Sequence, residues 1–215
     1  MTLSRILLWR HGQTEHNASG HWQGHLDSPL TERGREQARA AVPALLAYEP
    51  QQVVASDLRR ATDTAKILVE ASGLPLRLDK RLRETDIGHW QGLTREEVAG
   101  RFPEEFAEWL AGRDVTRRGG ESRAEVADRA CELVGELPPV ELTVLVSHGA
   151  TVMCLSAALL GLPQTPSVLG PLANCHWTEL RDSGSGWTLR AHNAGAPGPV
   201  IPLLAPESDY SDAEA

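Results

Sequence analysis

The sequence predicts an α/β fold: a three-layer sandwich with a mainly parallel central sheet and a small helical insertion. Three observations predict it. Strand and helix signals alternate, in the order β-α-β-α-β, an insertion, then α-β-α-β-β. Two apolar runs, Ile6-Leu7-Leu8-Trp9 and Leu142-Thr143-Val144-Leu145-Val146, are unbroken by charge, as strands buried on both faces are. Each run is followed, after one residue, by a His-Gly pair: His11-Gly12 and His148-Gly149.

The first strand ends at Arg10, so His11 falls at its carboxyl edge, where open α/β sheets bind ligands. A helix follows Leu30, with Thr31 as N-cap and Ala38, Ala41, Val42, Leu45 and Leu46 on one face. Gln52-Val53-Val54-Ala55 is the second strand. Ser56 is expected to cap the next helix, which turns Leu58, Ala61, Ala65, Leu68 and Val69 inward and stops at Gly73. Leu76-Arg77-Leu78 is a short third strand. Residues 94–120 form the insertion, with two short helices: Thr94 and Glu97 make a capping box, and Pro103 suits a first helical position. Ser122 and Glu125 make another capping box, opening a helix through Val126, Ala130, Leu133 and Val134. The strand at Leu142 to Val146 leads through Ser147-His148-Gly149 into a helix that runs to Leu159 and stops at Gly161 and Pro163. Segments 175–180 and 187–191 flank a Gly/Ser turn and read as a hairpin. Residues 1–193 are expected to form one domain, and 194–215 a Pro-rich acidic tail, largely disordered.

Composition narrows the function. With 215 residues, 41% hydrophobic and 23% charged, the chain has the profile of a soluble single domain. No apolar stretch is long enough to span a bilayer, and Met1 to Arg5 run into the first strand without a secretory pattern, so no membrane partner and a cytoplasmic location are expected. Four of the eight excess negative charges lie in the tail. The acidic balance argues against nucleic acid as a partner, which needs a basic face. It leaves room for a small anion held by local arginines. Cys131, Cys154 and Cys175 have no C-x-x-C spacing and read as buried free thiols.

The chemistry-bearing residues converge on one sheet edge. Arg10 offers a two-pronged contact to phosphate or carboxylate. His11 is a nucleophile or base near neutral pH. Gly12 permits close approach of backbone to a ligand. Arg59 and Arg60 stand in the first turn of a helix, whose free N–H groups and dipole already attract anions. Glu84 follows the third strand. Two histidines, two arginines and one glutamate suit phosphoryl transfer through a phosphohistidine: arginines hold the equatorial oxygens, one histidine attacks, and the carboxylic acid serves the leaving oxygen and then water. His21 and His25 have the i, i+4 spacing of a metal pair, but Gly20, Gly24 and Pro29 argue for loop there, and no metal is expected.

Taken in order, the motifs resemble the histidine phosphatase, or phosphoglycerate-mutase-like, superfamily across residues 4–193. They are Arg10-His11-Gly12-Gln13-Thr14, Asn17, Gln23-Gly24, Leu26-Asp27, Leu30, Ser56-Asp57-Leu58-Arg59-Arg60-Ala61, Thr64-Ala65, Leu82-Arg83-Glu84, Gly88-His89-Trp90-Gln91-Gly92, Gly120-Glu121-Ser122 and Ser147-His148-Gly149. The resemblance implies that His11 is the phosphorylated nucleophile, that Arg10, Arg60 and His148 complete the phosphate pocket, and that Glu84 is the proton donor and acceptor. It selects Arg60, the arginine before the alanine, and leaves Arg59 to the surface. It implies substrate contacts from Asn17, Gln23 and Gly24, and no cofactor or metal. The short span from Glu84 to His148 and the Gly-Gly-Glu-Ser pattern are similar to the phosphatases rather than the mutases. Residues 56–64, 81–94 and 119–123, with Asn174 and Trp177-Thr178, are similar to the branch acting on glucosyl-3-phosphoglycerate. Phosphoglycerate mutase, broad-specificity acid phosphatase and α-ribazole-phosphate phosphatase are the alternatives. An inactive phosphate-binding module is disfavoured because no catalytic position is lost. Arg113, Arg117 or Arg118 is a candidate contact for a second anionic group, and the late hairpin a candidate homodimer surface.

Overall fold

The computed structural model describes residues 5–165 and 169–196. Its strands are β1 (Arg5–Arg10), β2 (Gln52–Ala55), β3 (Leu76–Leu78), β4 (Leu142–Ser147), β5 (Trp177–Asp182) and β6 (Trp187–Ala194). Its helices are α1 (Glu15–Ser19), α2 (Glu32–Leu46), α3 (Arg59–Ser72), α4 (Arg95–Arg101), α5 (Pro103–Leu110), α6 (Arg123–Gly135) and α7 (Gly149–Leu159). The strands form one sheet in the order β3-β2-β4-β1-β5-β6. The first four are parallel, and β5 and β6 add an antiparallel hairpin edge. This is the mainly parallel three-layer sandwich the sequence predicts.

The alternation of β1 builds both cores at once. Leu7 and Trp9 face Ala38 and Leu45 of α2 and Ala61 and Leu68 of α3. Ile6 and Leu8 face Ala130 and Leu133 of α6 and Val152 and Leu155 of α7. Successive side chains of a strand point to opposite faces, so a strand covered on both sides must be apolar throughout.

Helix starts follow the local signals, with one exception. Thr31, Thr94 and Ser122 cap α2, α4 and α6, the last two as capping boxes, and Pro103 opens α5. Ser56 does not cap α3. That helix begins at Arg59 behind Leu58, which supplies no side-chain cap. The Arg59 N–H donates instead to Asp27 Oδ2 at 2.8 Å, so an acceptor from a loop 32 residues earlier satisfies the helix start. A single turn at α1, capped by Thr14, is an element the sequence reading leaves out.

The insertion holds α4, α5 and a 3₁₀ turn at Thr116–Arg118, around a separate cluster of Trp22, Trp90, Val98 and Val115. The hairpin runs past its expected end, to Ala194. Residues 197–215, which carry most of the tail expected to be disordered, lie outside the described residues.

Candidate active site

Strand register brings the two histidines together. β1 and β4 pair in parallel with Arg10 opposite Ser147, so His11 and His148 emerge side by side one residue beyond. The His11 N–H donates to the Ser147 carbonyl at 3.0 Å. The imidazole centroids lie 5.1 Å apart. Asn174 Nδ2 donates to the His11 carbonyl at 3.0 Å and holds the backbone from the far side.

Each ring has an assigned tautomer. His11 Nδ1 lies 2.7 Å from the Gly12 carbonyl, which can only accept, so Nδ1 carries the proton and Nε2 keeps its lone pair. His148 Nδ1 accepts from Arg60 Nε at 3.1 Å, so its Nε2 carries the proton and donates to Ser56 Oγ at 2.9 Å. Burial, and then the charges of Arg60 and Arg10, hold His11 well below its ordinary value. Burial, then Arg60 and His11, do the same for His148. His11 is therefore neutral at physiological pH, the state a nitrogen nucleophile needs. Ser56 thus ties the start of α3, whose Thr62 Oγ1 donates to its carbonyl at 3.0 Å, to a ring 92 residues away.

Arg60, 1% exposed, donates to the Gly24 and Leu26 carbonyls at 2.8 Å each. It ties the loop before α2 to the histidine pair. Arg59 lies on the surface beside Asp63, as the resemblance implies. Arg10 is buried and donates to the Leu172 carbonyl.

Glu84 sits on the N-terminus of α7. Its Oε1 accepts from the Thr85 N–H at 2.8 Å, the Thr151 N–H at 3.2 Å and Thr151 Oγ1 at 3.3 Å. Its Oε2 accepts one longer bond, from the Ala150 N–H at 3.3 Å. Oε1 therefore anchors the group, and Oε2 is the less engaged of the two oxygens.

A cleft runs from this cluster, with Arg10, His11, Arg60 and Glu84 on its wall. Gln23 and Gly24 line it too. His148 is fully buried behind the wall and reaches the cleft through its contacts with His11 and Arg60. Asn17 does not line it. Asn17 Oδ1 accepts from Thr14 N and from Asn174 Nδ2, at 3.2 and 3.4 Å, and closes the α1 capping box. Gly12 has a different use from the one expected. A Cβ there would lie 2.4 Å from the Gly34 carbonyl, so the missing side chain admits α2, not a ligand.

The imidazoles of His21 and His25 have separate partners. His21 Nδ1 meets Ser19 Oγ at 2.8 Å, and His25 Nε2 donates to the Glu84 carbonyl at 2.8 Å. Among the described residues no cluster of three potential metal ligands occurs. Of the insertion arginines, Arg118 lines the cleft, its guanidinium 5.3 Å from the Trp90 ring centroid; Arg113 and Arg117 do not line it.

Sequence reasoning missed the partners that hold the acid segment and part of the outer cleft lining. Arg129 grips Glu121 with two bonds, of 2.8 and 3.0 Å, and donates to the Glu84 carbonyl at 3.1 Å. Glu121 in turn accepts from the Asp86 N–H at 2.8 Å, so the acid segment is clamped from α6. Asp114 and Arg123, with Trp109, line the outer cleft. Glu121 stands in the Gly-Gly-Glu-Ser pattern, but its pairing with Arg129, like the convergence of Trp109, Asp114 and Arg123 on the cleft, works across the fold and carries no local mark.

A parallel sheet whose central strands end in a buried histidine pair, with two guanidiniums and a carboxyl on one cleft, defines an enzyme of phosphoryl transfer. The chain belongs to the histidine phosphatase superfamily (branch 1), whose family model matches residues 6–195, and it is a phosphatase. A glucosyl-3-phosphoglycerate phosphatase of Mycolicibacterium vanbaalenii is 44% identical, over 91% of this chain and 97% of the relative. A "Probable phosphoglycerate mutase GpmB" of Cronobacter sakazakii is 35% identical, over 95% and 97%. A solved mycobacterial glucosyl-3-phosphoglycerate phosphatase in complex with VO3 superposes with a TM-score of 0.81 at 43% identity, covering 89% of this chain and all of that one.

Proposed function

We propose that the chain hydrolyses the phosphomonoester of a small metabolite, with glucosyl-3-phosphoglycerate the first candidate, through a phosphohistidine at His11. The observation that carries this reading is the fixed His11 tautomer: Nδ1–H is spent on the Gly12 carbonyl, and Nε2 is left with its lone pair on the wall of a cationic cleft. Nε2 attacks phosphorus while Arg10 and Arg60 hold the equatorial oxygens. The P–O bond to the alkoxide breaks, and Glu84 Oε2 delivers the proton that makes it an alcohol. Water then enters, gives its proton to Glu84, and attacks phosphorus. The P–N bond breaks, phosphate leaves, and His11 and Glu84 return to their starting states.

Names borne by relatives support the glucosylated substrate, and the short span from Glu84 to His148 supports hydrolysis over mutation. No helix among the described residues is long and apolar enough to cross a membrane. Cytoplasmic residence, no nucleic-acid or membrane partner, and a homodimer built on the β5–β6 edge complete the proposal; light scattering tests the last.

The test is an acid and a base quench during turnover of labelled glucosyl-3-phosphoglycerate. An acid-labile, base-stable label is expected on His11 and is absent in His11→Ala, which has no turnover. Label on a serine or aspartate refutes the reading. Rapid formation of 2-phosphoglycerate from 3-phosphoglycerate and its bisphosphate, without phosphate release, assigns a mutase instead.

A further inference from the structure

We infer that Asp114 and Arg123, with Trp109 as the adjoining wall, form a pyranose subsite and are specificity-determining residues; the inference rests on the substrate reading above. The leaving oxygen departs opposite His11 Nε2 and takes its proton from Glu84. Everything attached to that oxygen must therefore extend along the cleft beyond Glu84. Besides the reacting groups, the cleft is lined by Trp109 from α5, Asp114 from the turn after it and Arg123 as the first residue of α6, together with Met153, Cys154 and Ala157 of α7.

The polar pair is held in advance. Arg123 Nη1 donates to the Gly112 carbonyl at 2.8 Å and lies 3.3 Å from Asp114 Oδ1. Both carboxylate oxygens of Asp114 lie 3.3 Å from the Arg123 N–H. The two side chains keep 34% and 19% of their surface, so each presents a polar edge. A carboxylate beside a guanidinium offers fixed acceptors next to fixed donors. Vicinal hydroxyls, each both donor and acceptor, match that pair. Its charges also cancel, so it favours a neutral polyol over a second anion.

Trp109 adds apolar surface to this wall, as carbohydrate sites need for the C–H side of the ring. Its indole is braced by Trp22 at 5.1 Å and by the Arg95 guanidinium at 5.8 Å. Arg118 is a poorer candidate for this role, since it is 7% exposed and its Nη2 donates to the Glu121 carbonyl at 3.0 Å.

The experiment compares kcat/KM for glucosyl-3-phosphoglycerate, 3-phosphoglycerate and p-nitrophenyl phosphate in the wild type, Asp114→Asn, Asp114→Ala and Trp109→Phe. The readout is the ratio of the glucosylated to the sugarless substrates. Asp114→Ala is expected to lower it by about 10- to 100-fold, mainly through KM, as lost hydrogen bonds to substrate hydroxyls do. Asp114→Asn, which keeps one acceptor, loses less. Arg117→Gln, exposed and paired with Glu108 away from the cleft, leaves the ratio unchanged. A ratio unchanged in Asp114→Ala, or a wild type with no preference for the sugar, overturns the subsite. If no phosphohistidine forms, the functional reading fails separately. Calorimetry with glucosylglycerate then still decides the subsite: binding to the wild type and not to Asp114→Ala upholds it, and equal binding or none overturns it.

Discussion

Replacing Glu84 by glutamine separates proton transfer from binding. Gln keeps the shape, and its amide oxygen can accept the three bonds now made to Oε1, from the Thr85 N–H, the Thr151 N–H and Thr151 Oγ1. Its NH2 then faces the Ala150 N–H, where Oε2 now accepts at 3.3 Å. One long bond is exchanged for a donor–donor contact, a stability cost of about 1 kcal/mol. The chemical cost is larger. Losing a positioned acid and base slows a reaction by roughly 100- to 10,000-fold, or about 2.7–5.4 kcal/mol at about 1.36 kcal/mol per tenfold. The assay is rapid-quench kinetics with two substrates. With an alkyl phosphate, whose alkoxide needs a proton, the variant shows no burst. With p-nitrophenyl phosphate, whose phenolate leaves without one, the burst of p-nitrophenol survives while the second step, activation of water, stays slow. Phosphohistidine therefore accumulates. Equal loss of both bursts, or wild-type turnover of the alkyl ester, refutes the role given to Glu84.

Other consequences follow from the same geometry. Burial first, then arginine charge, holds His11 below 6.5, so kcat/KM is retained down through pH 6.5 and lost only as pH falls through the lowered pKa; an acid limb for His11 at or above 6.5 contradicts the neutral-nucleophile reading. His11 and His148 are both buried neutral, so below about pH 6.5 the unfolded chain binds more protons than the folded one. Stability measured by urea unfolding accordingly declines as pH drops from about 6.5 toward the lowered values, and a flat profile argues against two buried neutral rings. Gly88 has φ +56°, and a Cβ there would lie 1.8 Å from the Arg118 carbonyl. Gly88→Ala is expected to cost at least about 1–3 kcal/mol from backbone strain alone and to loosen the turn that carries Arg118, so an unchanged urea midpoint refutes the close approach. Dialysis against EDTA is expected to leave turnover unchanged; complete loss, restored by a divalent cation, reopens the metal reading.

Much of this molecule was legible along the chain because the signals are local. Period, caps and breakers act within a few residues. Ile6 to Trp9 and Leu142 to Val146 announce buried strands, Thr94 and Ser122 announce helix starts, and a His-Gly pair after each central strand announces the site. Where a nearer residue gave the right local signal for the wrong job, the fold decided. Ser56 looked like a cap, but packing gave the start of α3 to Asp27 and turned Ser56 toward His148. Gly12 looked like room for a ligand, but it is room for Gly34.

By itself, then, the sequence determined the layers, the mainly parallel sheet and which candidate groups stand at its strand ends, since hydrophobic period and strand ends follow from neighbours in the chain. Tertiary structure alone decided the His148 tautomer, through Arg60 reaching it across 88 residues, and the clamp on the acid segment, through Arg129 reaching the Glu84 carbonyl across 45. Hydrogen bonds act over about 3 Å whatever the separation along the chain, so those partners exist only once sheet and insertion have packed.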